Sequence, residues 1–339
     1  MRRFLRALRW PGYFVAIGLF LGAVYQQIGS LFDKRLAPPA SEMVDVGGHN
    51  IFFRCTGSGQ QTYLLDAGAG AWSWEYWSLA PKLAQSARVC IFDRPGLGWS
   101  DTMPGGHDVA AMADQVFSIV HAAKIQTPFI YVGHSLGANV GEIYQQKHPK
   151  EIAALVLLEP GYPKWLLEGA AFRGGRAQAL AMPDCDWKCP VTLVAGYLGW
   201  PRIVAHLVIG TQSHMRGDVK DRYIAGLGRV HTPVTIVATL STLPRTAYQI
   251  DAIKSFGDTP VITFASARPT EPDKGESDAQ YRADLANERS YLTALAAKST
   301  RGVGVIVVPN SNHGSMVIGE AQSAVTARLI LGFVAKEVK

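Results

Sequence analysis

Five residues, Gly133-His134-Ser135-Leu136-Gly137, limit what this chain can fold into more than any others. They stand between the apolar run Phe129-Ile130-Tyr131-Val132 and a helical pattern from Ala138 to Lys147. A strand that turns at once into a helix brings neighbouring backbones close together, and a glycine on each side of the serine leaves room for that approach. Such a turn lifts the hydroxyl clear of the sheet and points the helix amino end at an anion forming beside it. An ordinary strand–helix turn capped by serine would use the same letters, so the surrounding chain has to decide between the two.

Short apolar runs alternate with helical patterns along much of the sequence. Met43-Val44-Asp45-Val46 and Ile51-Phe52-Phe53-Arg54-Cys55 flank Gly47-Gly48, a hairpin signal. Thr62 to Leu65, Arg88 to Phe92, Phe129 to Val132, Ala154 to Leu158, Pro260 to Phe264 and Val303 to Val308 follow as strand-like runs. Helical patterns lie at Ala110–Ala123, Ala138–Lys147 and about Ala321–Val338. This alternation predicts an α/β fold, a mostly parallel sheet covered on both faces with an antiparallel N-terminal hairpin. Between Gly161 and about Ile250 the rhythm fails, and that block reads as an inserted helical cap. The expected division is a segment 1–40 of anchor and linker, core at 41–161, cap at 162–250 and core again at 251–339.

Four arginines among the first nine residues account for most of a formal net charge of +6. No other basic cluster interleaved with aromatics occurs, so nucleic acid is not an expected partner. Behind the arginines, Phe14 to Tyr25 is almost wholly apolar, Gln26-Gln27 interrupts, and Ile28 to Phe32 resumes. A span needs roughly 20 apolar residues, which Pro11 to Phe32 supplies if the glutamines lie near an interface. The expectation is an uncleaved membrane anchor with a cytoplasmic N-terminus and an exported catalytic domain. The alternative is secretion after signal cleavage, although no small-x-small site follows the apolar core. Cys55, Cys90, Cys185 and Cys189 show no zinc-ligand spacing, and an even count in an exported domain permits disulfides.

Three pieces then carry a resemblance: Leu65-Asp66-Ala67-Gly68-Ala69-Gly70, Phe92-Asp93-Arg94-Pro95-Gly96 continuing to Asp101, and the serine turn. From about Ser41 onward, the cap apart, the chain resembles the α/β-hydrolase superfamily, and in particular its bacterial membrane-anchored, esterase-like branch. The resemblance implies Ser135 as nucleophile and His313, on the loop after the run Val303–Val308, as base. It implies an oxyanion hole from the backbone N–H groups of Leu136 and Ala69. Ala67 stands where the family usually has histidine. The triad acid most often follows the seventh strand, where this chain has Glu271 and Asp273 well out on a polar loop. Some relatives carry it after the sixth strand, where Glu159 stands beside Pro160, and Glu159 is the expected acid. The same fold makes the second and fourth strands neighbours, so Cys55 and Cys90 are a candidate disulfide; Cys185 and Cys189 are a second.

The expected activity is serine hydrolysis of a carboxylic ester through an acyl-enzyme, on a small, lipophilic substrate, with no metal and no organic cofactor. Cofactor-free perhydrolysis of haloperoxidase type and a non-catalytic, membrane-tethered binding protein remain alternatives. Dehalogenase and epoxide-hydrolase chemistry is disfavoured, because those relatives carry aspartate at the place of Ser135. Pro190 to Gly210 is strongly apolar; it is expected as a helix pair packed on the core, against an acyl-binding lid or a membrane contact. Trp72, Trp74 and Trp77 are open to two readings, a substrate entrance or core packing.

Overall fold

The computed structural model describes residues 9–209, 215–267 and 277–338. Eight strands form one sheet: β1 Met43–Val46, β2 His49–Thr56, β3 Thr62–Asp66, β4 Arg88–Phe92, β5 Phe129–His134, β6 Ile152–Leu158, β7 Val261–Ser266 and β8 Gly302–Val308. Their spatial order is β1-β2-β4-β3-β5-β6-β7-β8. β1 and β2 form the antiparallel hairpin, β2 pairs antiparallel with β4, and every later pairing is parallel.

The inner strands read as continuous apolar runs because both of their faces are covered. Alternate side chains go to opposite sides. Leu64, Cys90, Tyr131, Leu155 and Leu157 join one core, under the helices Val109–Ala122, Leu136–Lys147 and Leu243–Asp251. Leu65, Ile91, Val132, Val156 and Leu158 join the other, under Leu79–Leu83 and Glu320–Glu337. A crossover helix, Asp278–Ala296, links β7 to β8; the sequence reading did not place it. Cys55 lies opposite Cys90 in the β2–β4 register and is bonded to it, and Cys185 is bonded to Cys189.

Between β6 and β7 the described residues form helices Pro163–Gly169, Arg176–Ala181, Lys188–Tyr197, Trp200–Ile209, Gly217–Leu227, His231–Ser241 and Leu243–Asp251. The apolar stretch from Pro190 differs from its expectation. It is a helix pair, but Val191, Val194, Trp200, Val204 and Leu207 are exposed rather than packed on the core. The N-terminal helix Arg9–Asp33 docks its second half on this pair. Its segment Tyr13–Asp33 is long and apolar enough to cross a membrane, with a mean hydropathy of 1.5.

Candidate active site

Ser135 sits between β5 and the helix Leu136–Lys147 with φ 51° and ψ −120°. Few non-glycine residues accept a positive φ, and such strain concentrates at functional sites. The neighbouring glycines are obligatory: a Cβ on Gly133 would overlap the backbone of Gly137 and Ala138, and one on Gly137 would overlap the Asp66 carbonyl. Glu159, just past β6, has φ 46°. Its N–H donates to the Phe264 carbonyl, which fixes the turn on the neighbouring strand.

Glu159 is buried, at 3% exposure. Its Oε1 accepts from the Ser266 N–H at 2.9 Å, and its Oε2 lies 2.8 Å from His313 Nδ1. Burial pushes the Glu159 carboxyl up, but the bond and charge of His313 and the Ser266 N–H outweigh it and hold the group below the ordinary carboxylate value. A carboxylate only accepts, so His313 Nδ1 donates and Nε2 is left to take a proton. The His313 ring lies 4.6 Å from that of His134, the residue before Ser135. No hydrogen bond joins Ser135 to His313 among the described residues; such contacts are often long before substrate binds. Glu271 and Asp273 lie outside the described residues.

Behind this pair stands a second one that the sequence did not reveal. His134 Nδ1 lies 3.0 Å from Glu75 Oε1 and Nε2 lies 3.0 Å from the His313 carbonyl oxygen. Glu75 Oε2 accepts from the Gly68 N–H at 2.9 Å. Both acceptors of His134 can only accept, so the ring carries two protons and is an imidazolium held by an ionised Glu75. Burial disfavours the charge on each group, but their mutual attraction wins: His134 is held above the ordinary imidazole value and Glu75 below the ordinary carboxylate value. The available signal was an acid, Glu75, in the otherwise aromatic run Trp72–Trp77. Glu288 was also missed. It is buried on the crossover helix, and burial together with the nearby Glu159 charge pushes its carboxyl up to about 8.

The turn after β3 is pinned from behind. Arg94 donates to Asp66 Oδ1 at 2.5 Å, to the Ala67 carbonyl at 2.6 Å and to the Gly68 carbonyl at 2.7 Å. With these carbonyls engaged and the Gly68 N–H given to Glu75, the Ala69 N–H has no acceptor among the described residues. The Leu136 N–H, first in its helix, has none either. The turn lies against the serine, since a Cβ on Gly68 would stand 3.3 Å from Ser135 Cβ. Asp93, at the head of the Asp-Arg-Pro-Gly turn, accepts from the Ser73 and Trp99 N–H groups at 2.9 and 2.8 Å. Trp72 is buried, stacked 5.1 Å from Tyr223, and with Trp74 and Trp77 it lines a cavity of about 520 Å³ to which Ser135 does not contribute.

Strand order, serine elbow and the helices on both sheet faces together decide the fold. The chain has the α/β-hydrolase fold. The sequence pattern of the alpha/beta hydrolase fold matches residues 64–182 of this chain. The uncharacterised protein YbdG of Bacillus subtilis is 27% identical over 124 residues, which cover 36% of this chain and 38% of that protein. The chain therefore spans well under two thirds of that relative. A bacterial membrane phospholipase A superposes with a TM-score of 0.56 at 18% identity, over 99% of this chain and 100% of that one. A laboratory-evolved potato epoxide hydrolase superposes with a TM-score of 0.65 at 16% identity, over 87% of this chain and 98% of that one. These likenesses concern the fold alone.

Proposed function

We propose that the protein is a serine hydrolase that cleaves a carboxylic ester through an acyl-enzyme. One observation carries the reading: Glu159 holds His313 by Nδ1 while the ring faces the elbow residue next to Ser135. In the proposed reaction His313 Nε2 takes the Ser135 proton as Oγ attacks the carbonyl carbon. The N–H groups of Ala69 and Leu136 receive the oxyanion. Collapse breaks the C–O bond, and His313 returns the proton to the leaving alcohol. Water then repeats the sequence on the acyl-serine and releases the acid. Attack by a serine hydroxyl separates this reading from that of the epoxide hydrolases it resembles in fold.

The reading also includes a membrane-anchored protein with the catalytic domain outside the cytoplasm, divided into anchor and linker (1–40), core (41–161), cap (162–250) and core (251–339). The apolar helix Tyr13–Asp33 and the Cys55–Cys90 bond support it, since disulfides persist in oxidising compartments.

The test is labelling by a serine-directed fluorophosphonate together with turnover of chromogenic esters of increasing chain length. Ser135→Ala is expected to abolish labelling and to lower turnover at least about a thousandfold with the fold intact by circular dichroism. Full activity in that variant would end the proposal.

A further inference from the structure

The helices Lys188–Tyr197 and Trp200–Ile209 are amphipathic the wrong way round for a protein in water. Trp187, Val191 and Val194 follow one another at helical spacing, and so do Trp200, Val204 and Leu207; all six are more than half exposed. Of the two charged residues of the pair, Lys188 at the start is exposed, while Arg202, within the second helix, is buried at 4% exposure. Monomeric soluble proteins seldom show so continuous an apolar surface, which marks a partner or a membrane.

The N-terminal helix tells which. Arg202 donates both terminal nitrogens to Asp33 and its Nε to Gln26 Oε1 at 3.3 Å; Gln26 Nε2 donates to the Gly228 carbonyl. Gly22 and Gly29 let the helices touch: a Cβ on Gly22 would stand 2.7 Å from the Leu198 carbonyl oxygen, and one on Gly29 would stand 2.6 Å from Arg202 Nε. Residues 22, 26, 29 and 33 thus form one face, closed on the cap by a polar latch. The apolar segment Tyr13–Asp33 has 21 residues, about 31 Å at 1.5 Å per residue, a bilayer's hydrocarbon thickness. The cap meets it from Gly22 onward, level with its second half. A helix that crosses the bilayer along this length carries the two cap helices with it to the depth of the adjoining leaflet. Trp187, Tyr197 and Trp200 suit that level, since tryptophan and tyrosine collect where hydrocarbon meets water.

We propose that the cap pair Lys188–Ile209 is a second membrane contact, seated in the leaflet on the catalytic side and fixed at its depth by the Arg202–Asp33–Gln26 latch. The occupant of the apolar face is lipid. The proposal rests on the anchor reading and is independent of the serine chemistry. The pair also reaches toward the site by packing: Gly196 packs on Val230, and Ile236 of the next helix lies 3.5 Å from where a Cβ on Gly70 would stand, on the proposed oxyanion turn.

The test uses the full chain in phosphatidylcholine vesicles, with one environment-sensitive fluorophore attached through Val194→Cys, Val204→Cys, Phe20→Cys or Lys150→Cys. Phe20 reports on the anchor; Lys150 is exposed at the amino end of β6, the sheet end away from the cap. Lipids carrying a nitroxide in the acyl chain are expected to quench the Val194 and Val204 probes by at least half, as they do Phe20, and to leave Lys150 unchanged. Quenching of Phe20 alone, with Val194 and Val204 open to aqueous iodide like Lys150, overturns the cap contact and leaves the anchor standing. Quenching at none of the three overturns both. Protection of Val194 and Val204 from iodide and nitroxide alike, with cross-linking between two copies, assigns the face to a dimer and overturns the proposal.

Discussion

Two histidine–carboxylate pairs lie side by side in this molecule, and they are built for opposite tasks. In His313–Glu159 the histidine side chain is 41% exposed and only Nδ1 is engaged. In His134–Glu75 the histidine side chain is 3% exposed and both nitrogens are engaged. A ring with one nitrogen free can accept and return a proton; a ring with both nitrogens donating is a fixed charge. The same two residue types thus give the proposed shuttle in one place and a strut in the other. The strut ties the Gly68 N–H, through Glu75, to the His313 carbonyl, so it spans the proposed oxyanion turn and the proposed base.

The comparison breaks first, if it breaks, at the shuttle. His313→Ala is expected to lower kcat for a chromogenic ester at least about a thousandfold with KM little changed. A variant within tenfold of wild type would show that another residue takes the proton. Next comes the acid: Glu159→Gln is expected to cost about a hundredfold or more in kcat, because it frees the imidazole to take the wrong tautomer. Collapse in Asp273→Asn or Glu271→Gln, with Glu159→Gln near wild type, would move the acid to the loop after β7.

The strut should answer differently. Glu75→Gln is expected to lower kcat about tenfold, as displaced positioning groups do, while fluorophosphonate still labels Ser135. The sign with pH follows from the directions of the two shifts. His134, held high, adds stability that is complete below the ordinary imidazole value and is lost as pH rises through its folded value. Glu75, held low, adds stability that is complete above the ordinary carboxylate value and is lost as pH falls through its folded value. Without Glu75 the imidazolium loses its counter-charge, so the alkaline fall in activity should begin at lower pH; an unmoved alkaline limb would remove the charge from the strut. The smallest effect is expected from His134→Gln, whose amide can still donate to the His313 carbonyl: a few-fold in kcat, and less pH dependence than wild type.

The elbow was legible because its turn demands glycine at two fixed places and a strand and a helix at its ends, all visible within about twenty residues. The pairing of Glu159 with His313 was legible only through resemblance; nothing local in Leu157-Leu158-Glu159-Pro160 marks a residue with φ 46°. Glu75 was hidden by distance, since 59 residues separate it from His134. The crossover helix Asp278–Ala296 buries little beyond Glu288, Leu292, Leu295 and Ala296, so its apolar period is faint. The cap failed for a different reason. Periodicity reports that a helix has an apolar face and is silent on whether protein or lipid covers it.

The Arg202 latch has a practical bearing on how this protein can be produced. Cutting the chain before Ser41 to obtain a water-soluble enzyme deletes Asp33 and Gln26 together. The same cut uncovers Arg202 and the cap surface around Leu198 and Gly199 that the helix packs on. The trimmed protein would be expected to aggregate or melt early even with every residue of the elbow intact, because the cut adds newly uncovered surface to a cap face that is already apolar.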